Sequence, residues 1–307
     1  MERPYPGGRQ VICQTMKNQG VSKAAMEIMI SSICNTTLKN YDISFRKWWK
    51  FCNDHNIDVF KPNISSVISF LTGEYEKGLS YSSLNGIRSA SSLIIAEDIA
   101  QDSRMKRSFQ GISKSRPARP KYDRTWDPQI VLKFWQSQPA NENLDLKDLS
   151  KKLITLLALV TAHCMQTFSL IDIDNIKINT NNIEILITDR IKTTKRNSTQ
   201  PILTLPFYSN EKICAANTLK FYLEKTRSIR KDLKKLFIST NKPIKSVTAQ
   251  TLSRWVKDAL MSSGIDTTVF TAHSTRLSAH KKIGRGFRFY QKNCRLVKSI
   301  GDIREIL

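Results

Sequence analysis
Across 307 residues, Lys and Arg outnumber Asp and Glu by 49 to 26, a formal charge of +23, while 40% of residues are hydrophobic and 8% aromatic. That length supports two domains with sizeable cores, and that apolar content excludes a chain disordered throughout. The charge points to a polyanionic partner, nucleic acid first, with an anionic membrane surface or ribosomal association as the other readings.

No segment approaches the ~20 consecutive apolar residues of a membrane span. The opening MERPYPGGRQ lacks the apolar core of a secretory signal. Six cysteines, at 13, 34, 52, 164, 214 and 294, form no CxxC and pair with none of the four histidines. This pattern argues against a zinc site and for a reducing compartment, so the expected location is the nucleus or the cytoplasm.

Residues 1–28 lack strong periodicity and are expected to be poorly ordered. A helix is predicted from Thr36 or Thr37, with Leu38, Tyr41, Phe45, Trp48 and Cys52 on one stripe. A second opens after Asn63, with Ile64, Val67, Ile68, Leu71 and Tyr75 inward, and ends at Gly78. A third runs over about Ser82–Ile95 and a short fourth holds Met105 and Phe109, together a compact bundle. The linker SKSRPARPKYDRTWDP follows. From Arg104 to Arg124 there are eight Lys or Arg against one Asp, which reads as a solvated tether or as a strap along a phosphate backbone.

Asp127-Pro128 is a helix start with its cap and first-turn proline in place. A long apolar helix then carries Leu149, Leu153, Leu156, Leu157 and Val160. Ile176–Ile178, Ile183–Thr188 and Pro201–Leu205 read as short strands, with a turn at Thr180-Asn181-Asn182. Helices are predicted over about 211–227 and 248–263, the latter stopped by Gly264, with LFIST as a strand between them. No repeat of solenoid length is present.

The stretch Thr271-Ala272-His273-Ser274-Thr275-Arg276 sets a histidine and an arginine one helical turn apart, so both can face one point. In so basic a chain the expected occupant of that point is a phosphate. The spacing alone is common, and its weight comes from the features upstream.

Those features resemble the tyrosine recombinase (phage-integrase) family, most of all its eukaryotic retroelement and Crypton-type branch. The likeness covers about residues 30–290 and rests on TLKNYDISFRKWWKFC, SYSSLNGIRSASSLI, SKKLITLLALVTAHCMQTFSLIDIDNI, DRIKTTKRNSTQPILTLPF and FTAHSTR. It implies a mainly α fold with a small antiparallel sheet. Residues 29–112 would be a helical, SAM-like core-binding domain, 113–126 a basic linker, and 127–307 an α+β catalytic-like domain. The implied partner is double-stranded DNA, gripped by a homo-oligomer, with no membrane, small-molecule substrate, cofactor or metal. The implied activity is DNA recombination and integration for a transposable element.

In that family a tyrosine hydroxyl attacks a phosphodiester, and guanidinium forks hold the charge that builds on phosphorus. The resemblance gives His273 and Arg276 to the HxxR box and Lys192 to the hairpin lysine, although Lys192 lies in a basic turn with Lys195 and Arg196. Arg104, Lys106, Arg107, Lys114, Arg116, Arg119, Lys121, Arg190, Lys195 and Arg196 are the expected DNA-binding cations.

Two departures stand out. Family members carry TGQR or TAQR where this chain reads Thr161-Ala162-His163-Cys164, so Cys164 occupies the first arginine's position. A neutral thiol cannot replace a guanidinium, and losing such a donor costs on the order of 10²–10³ in rate. His163 could substitute only in part, being mostly uncharged at neutral pH.

Tyr290, in Phe287-Arg288-Phe289-Tyr290-Gln291-Lys292, matches the nucleophile's phrase, yet only thirteen residues separate it from Arg276. Gly284-Arg285-Gly286 stands where the family places a further helix, and Tyr290 reads more readily as a packing aromatic than as the nucleophile. The expectation is an integrase-like protein with impaired cleavage, or a domesticated or decaying duplex-DNA-binding protein without chemistry. A basic RNA-binding factor is disfavoured, since no aromatic RNP-like motif is present.

Overall fold
A computed structural model describes residues 4–117, 122, 124–191, 194, 200 and 202–279. The chain divides into two compact units, Met1–Lys121 and Tyr122–Leu307.

The first unit is helical. It contains α1 (Gly8–Asn18), α2 (Lys23–Ser31), α3 (Asn35–Asp54), α4 (Ile64–Glu76), α5 (Tyr81–Ser91) and α6 (Ser103–Ser115). The stripe read in the sequence is the buried face of α3, where Phe45, Trp48 and Cys52 are each 1% exposed. The Trp48 indole N–H donates to the Val59 carbonyl at 3.0 Å, so the buried ring leaves no orphan donor. Asn63 caps α4 through the Ser66 N–H, and Gly78 follows that helix at φ +95°, where a side chain would be strained. Buried Glu74 is held by Lys47 at 2.5 Å and Lys77 at 2.8 Å, which is how a carboxylate survives in this core.

The expectation of a poorly ordered 1–28 is corrected here. Val11, Ile12, Thr15 and Met16 form a short stripe on α1 that packs against α3. The Gly8 N–H and the Tyr5 hydroxyl both donate to Asp42 Oδ1, at 2.7 and 2.8 Å. A Cβ on Gly8 would meet Asp42 Oδ1 at 2.8 Å, so this glycine lets the helix start sit close. The apolar stripe is two turns long, too brief to outweigh the Gly7-Gly8 pair beside it.

The second unit is built around one buried helix. Its elements are α7 (Pro128–Ser137), α8 (Leu146–Thr161), α9 (Met165–Ser169), β1 (Ile176–Ile178), β2 (Asn182–Leu186), β3 (Ile202–Pro206), α10 (Ala215–Arg227), α11 (Ala249–Ser262) and α12 (Ser274–Ser278). Asp127 caps α7 with Pro128 in its first turn. From Leu149 to Thr161 every residue of α8 is buried except Lys151, as expected of a helix apolar nearly all round. α10, α11 and α12 pack on it.

The sheet is antiparallel in the order β1-β2-β3. Ile183 faces Leu205 and Ile185 faces Leu203, so the period-two alternation buries one face. The LFIST expectation is corrected: no extended strand forms there, only an isolated bridge pairing Ile238 with Ser246, with a second pairing Lys235, just before the segment, with Asp172. The fully buried Tyr222 hydroxyl accepts the Ile238 N–H at 3.2 Å, taking the place of a strand partner. Among the described residues no helix is long and apolar enough to cross a membrane.

Candidate nucleic-acid interface
Helix α12 is one and a half turns long, and its sequence sorts by face. Ser274, Thr275 and Ser278 are fully buried, whereas His273 and Arg276 are exposed. Two of the three buried hydroxyls are satisfied locally: Ser274 Oγ donates to the Thr271 carbonyl at 2.7 Å and Thr275 Oγ1 to the Ala272 carbonyl at 2.6 Å, while Ser278 Oγ has no partner among the described residues. Sinking the small polar residues turns the imidazole and the guanidinium outward from one turn, with the Arg276 N–H bonded to the His273 carbonyl at 3.3 Å.

Arg276 is aimed by a second element. Its Nε donates to the Ala162 carbonyl at 3.0 Å, and among the described residues the four N–H groups on its two Nη atoms are free for an anion. Ala162 ends α8 in the left-handed conformation, φ 54° and ψ 21°, rare for a residue with a Cβ and found where structure over-determines the backbone.

The segment after Ala162 sets the local charge. His163 Nδ1 lies 2.9 Å from the Thr161 carbonyl, which can only accept, so that nitrogen carries the proton. Burial lowers the imidazole's pKa; the Thr161 carbonyl opposes this and the Arg276 charge adds to it, leaving His163 neutral near pH 7. Cys164 sits at the start of α9 with its sulfur 3.4 Å from Thr167 Oγ1 and no full capping bond from the backbone. Burial pushes this thiol up. The Thr167 hydroxyl, the nearby N–H groups of Thr167 and Gln166, and Arg276 outweigh burial and hold its pKa below the usual thiol value. The structure thus brings Cys164 and His163 to Arg276, whose charge acts on both.

Two aromatic residues absent from the sequence expectations hold the same turn. The buried Trp126 indole N–H donates to Ser274 Oγ at 2.9 Å. The Tyr122 hydroxyl shares a hydrogen bond with Thr271 Oγ1 at 2.7 Å, and its ring stacks on Phe270 at 5.7 Å. The last residues of the basic linker are therefore fastened on both sides of His273. A Tyr and a Trp among Arg, Lys and Pro were the available signal.

The remaining expected cations divide. On α6, Met105 and Phe109 are buried, while Arg107 and Lys114 lie on the opposite, exposed face. Arg104 is exposed but ion-paired with its cap Asp102 at 2.9 Å, and Lys106 donates to Gln101 Oε1 at 2.7 Å. Arg116 is spent inside its own unit: Nη1 donates to the carbonyls of Tyr75 and Leu79, and the guanidinium lies 4.0 Å over the Tyr75 ring. Arg190 is exposed beyond β2. The base of that segment is clipped by Lys235, whose Nζ meets Asp189 and Asp172 at 3.2 Å each and the Leu170 carbonyl at 3.0 Å. Lys192, Lys195, Arg196, Arg119, Lys121 and Tyr290 lie outside the described residues. Among the described residues no cluster of three or more His, Cys, Asp or Glu could hold a metal ion.

Neither a protein-family model nor a curated protein matches the sequence. Solved structures do match the fold. A lambda integrase dimer bound to a COC′ core site aligns with TM-score 0.50 and 18% identity, covering 88% of this chain and 84% of that one. The XerH site-specific recombinase in a post-cleavage complex with palindromic difH aligns with TM-score 0.55 and 14% identity, over 88% and 76% of the two chains. The Tn1549 transposon integrase in complex with transposon right-end DNA aligns with TM-score 0.51 and 12% identity, over 89% and 85%. At such identities the likeness establishes the fold: a mainly helical chain with a small antiparallel sheet, shared with tyrosine recombinases and integrases.

Proposed function
We propose that this chain is a tyrosine-recombinase-like protein that binds duplex DNA, comes from a mobile element of the eukaryotic retroelement or Crypton-like branch, and has impaired strand cleavage. The observation that carries the reading is the pair His273 and Arg276, exposed on one turn with Arg276 braced by Ala162, in a chain of charge +23. That the solved chains sharing the fold are complexes with DNA supports it.

On this reading the Nη groups of Arg276 donate to non-bridging phosphate oxygens, and His273 is placed to hold or move a proton at an adjacent oxygen. Lys192 and Tyr290 would complete the set as proton donor and nucleophile. Impairment follows from charge. Where a second cation would share the pentacoordinate phosphorus, Cys164 supplies a thiol, which carries no positive charge in either form, and His163 stays neutral. Groups that act on one transition state fail together, so one such loss removes most of the rate. The protein would work as a homo-oligomer on DNA, in the nucleus or the cytoplasm. The lambda integrase dimer on its core site supports the first part of that statement.

A second reading, a domesticated or decaying DNA-binding protein with no chemistry, is favoured by the same Cys164. A nicked suicide duplex separates the two. A trace of covalent protein–DNA adduct that disappears in Tyr290→Phe supports impaired cleavage, and no adduct supports the second reading. Vigorous adduct formation would overturn both, and failure to retain any duplex DNA would overturn the function proposed here.

A further inference from the structure
Tyr122 and Trp126 both fasten to the turn that carries His273, through Thr271 and Ser274 respectively. They are four residues apart, and the residue midway between them is Arg124, exposed at the surface. Two residues of chain span at most ~7 Å, so the Arg124 backbone cannot leave the neighbourhood of that turn while both anchors hold. Among the described residues Arg124 takes part in no ion pair. This contrasts with Arg104 and Arg116, which are engaged within their own unit.

We infer that Arg124 is a further phosphate-binding residue, which the Tyr122 and Trp126 anchors deliver to the DNA backbone beside His273 and Arg276. The inference deepens the duplex-DNA reading and rests on it. The chemistry is that of a guanidinium fork: planar, always charged, and able to give two parallel hydrogen bonds to one phosphate. A lysine or arginine on a free tether could find a phosphate anywhere along the strand. One pinned at both ends reads a single place, so it adds register as well as charge. The anchors are positioning residues: Trp126 is buried, and its bond to Ser274 fixes the chain direction out of the linker.

The test is a mutant cycle on the full chain, using a labelled mixed-sequence duplex with affinity read by anisotropy over a range of salt. Arg124→Gln, an exposed change that should leave the melting temperature alone, is expected to weaken binding roughly tenfold at low salt and to make the salt dependence shallower by about one charge. In a Tyr122→Ala, Trp126→Phe background the same Arg124→Gln change is expected to cost less than about threefold, because the arginine is no longer held in place. If that background melts early, Thr271→Val with Ser274→Ala removes the anchors from the other side and serves equally. Arg124→Gln binding like wild type overturns the inference, as does an equal loss in the anchored and unanchored backgrounds. A wild-type protein that shows no salt-dependent duplex binding overturns the underlying reading instead, so the two failures are distinct.

Discussion
Arg276 reaches across 114 residues of sequence to donate its Nε to the main-chain carbonyl of Ala162 at 3.0 Å. One end of the fork is thereby fixed, and the other faces solvent. The left-handed Ala162 is what turns that carbonyl toward the arginine. Lysine carries the same charge but has no Nε to spend on the brace and no fork to present. Arg276→Lys is expected to bind duplex DNA roughly tenfold more weakly than wild type by anisotropy, a loss of about 1.4 kcal/mol. Equal binding would show that charge alone matters there.

The two cysteines of contrasting surroundings should differ in reactivity. The Cys52 thiol is pushed up to about 12, by burial first and then by the Asp58 charge, whereas Cys164 is held below the ordinary thiol value. The thiolate is the reactive form, so near neutral pH iodoacetamide should label Cys164 well before Cys52, as read by peptide mass spectrometry. Arg276→Gln removes one of the groups favouring the thiolate and should slow Cys164 labelling. A rate at Cys164 that ignores Arg276 would mean the two groups do not share a site.

Fastening of the linker's end is a matter of stability before it is one of function. Trp126→Phe keeps the ring but deletes the bond to buried Ser274, and should cost about 1 kcal/mol. Trp126→Ala also opens a cavity, raising the expected cost to about 3–5 kcal/mol. Thermal melting of the two variants checks the order. A Trp126→Phe variant melting with wild type would show that the indole N–H makes no net contribution.

Much of this organisation is visible in the bare sequence. The α3 stripe, the apolar run of α8, the Asp127-Pro128 start and the three short strands follow from periodicity and caps that tertiary contacts do not override. His273 and Arg276 are legible because their spacing matches one turn. Other features depend on partners distant in sequence. α1 is secured by Asp42, and the LFIST segment is held by bridges and the Tyr222 hydroxyl. Arg116 and Arg124 look alike in a list of cations, yet the first spends its guanidinium on the Tyr75 and Leu79 carbonyls. No local pattern tells a committed arginine from an available one.

Lys152 illustrates the same point in the core of the second unit. It is fully buried on α8, and its Nζ has no hydrogen-bond partner among the described residues. Burial, with the Lys212 charge adding to it, pulls the amine from 10.5 down to about 8. Below about 8 both folded and unfolded chains hold the proton. Between there and 10.5 only the unfolded chain does, so stability should rise with pH across that window. Lys152→Met keeps the stem and removes the charge. It should stabilise the protein by about 1–3 kcal/mol at pH 7, measured by urea unfolding, and abolish the alkaline gain. A destabilised variant would mean that the amine has a partner.

The central claim is that a phosphate backbone is held at Arg276, and the slope of log affinity against log salt for wild type and Arg276→Gln tests it most directly. The account predicts a steep negative slope for wild type, several charges in size, and a slope shallower by about one in the variant. Identical slopes, or a wild-type slope near zero, would contradict it.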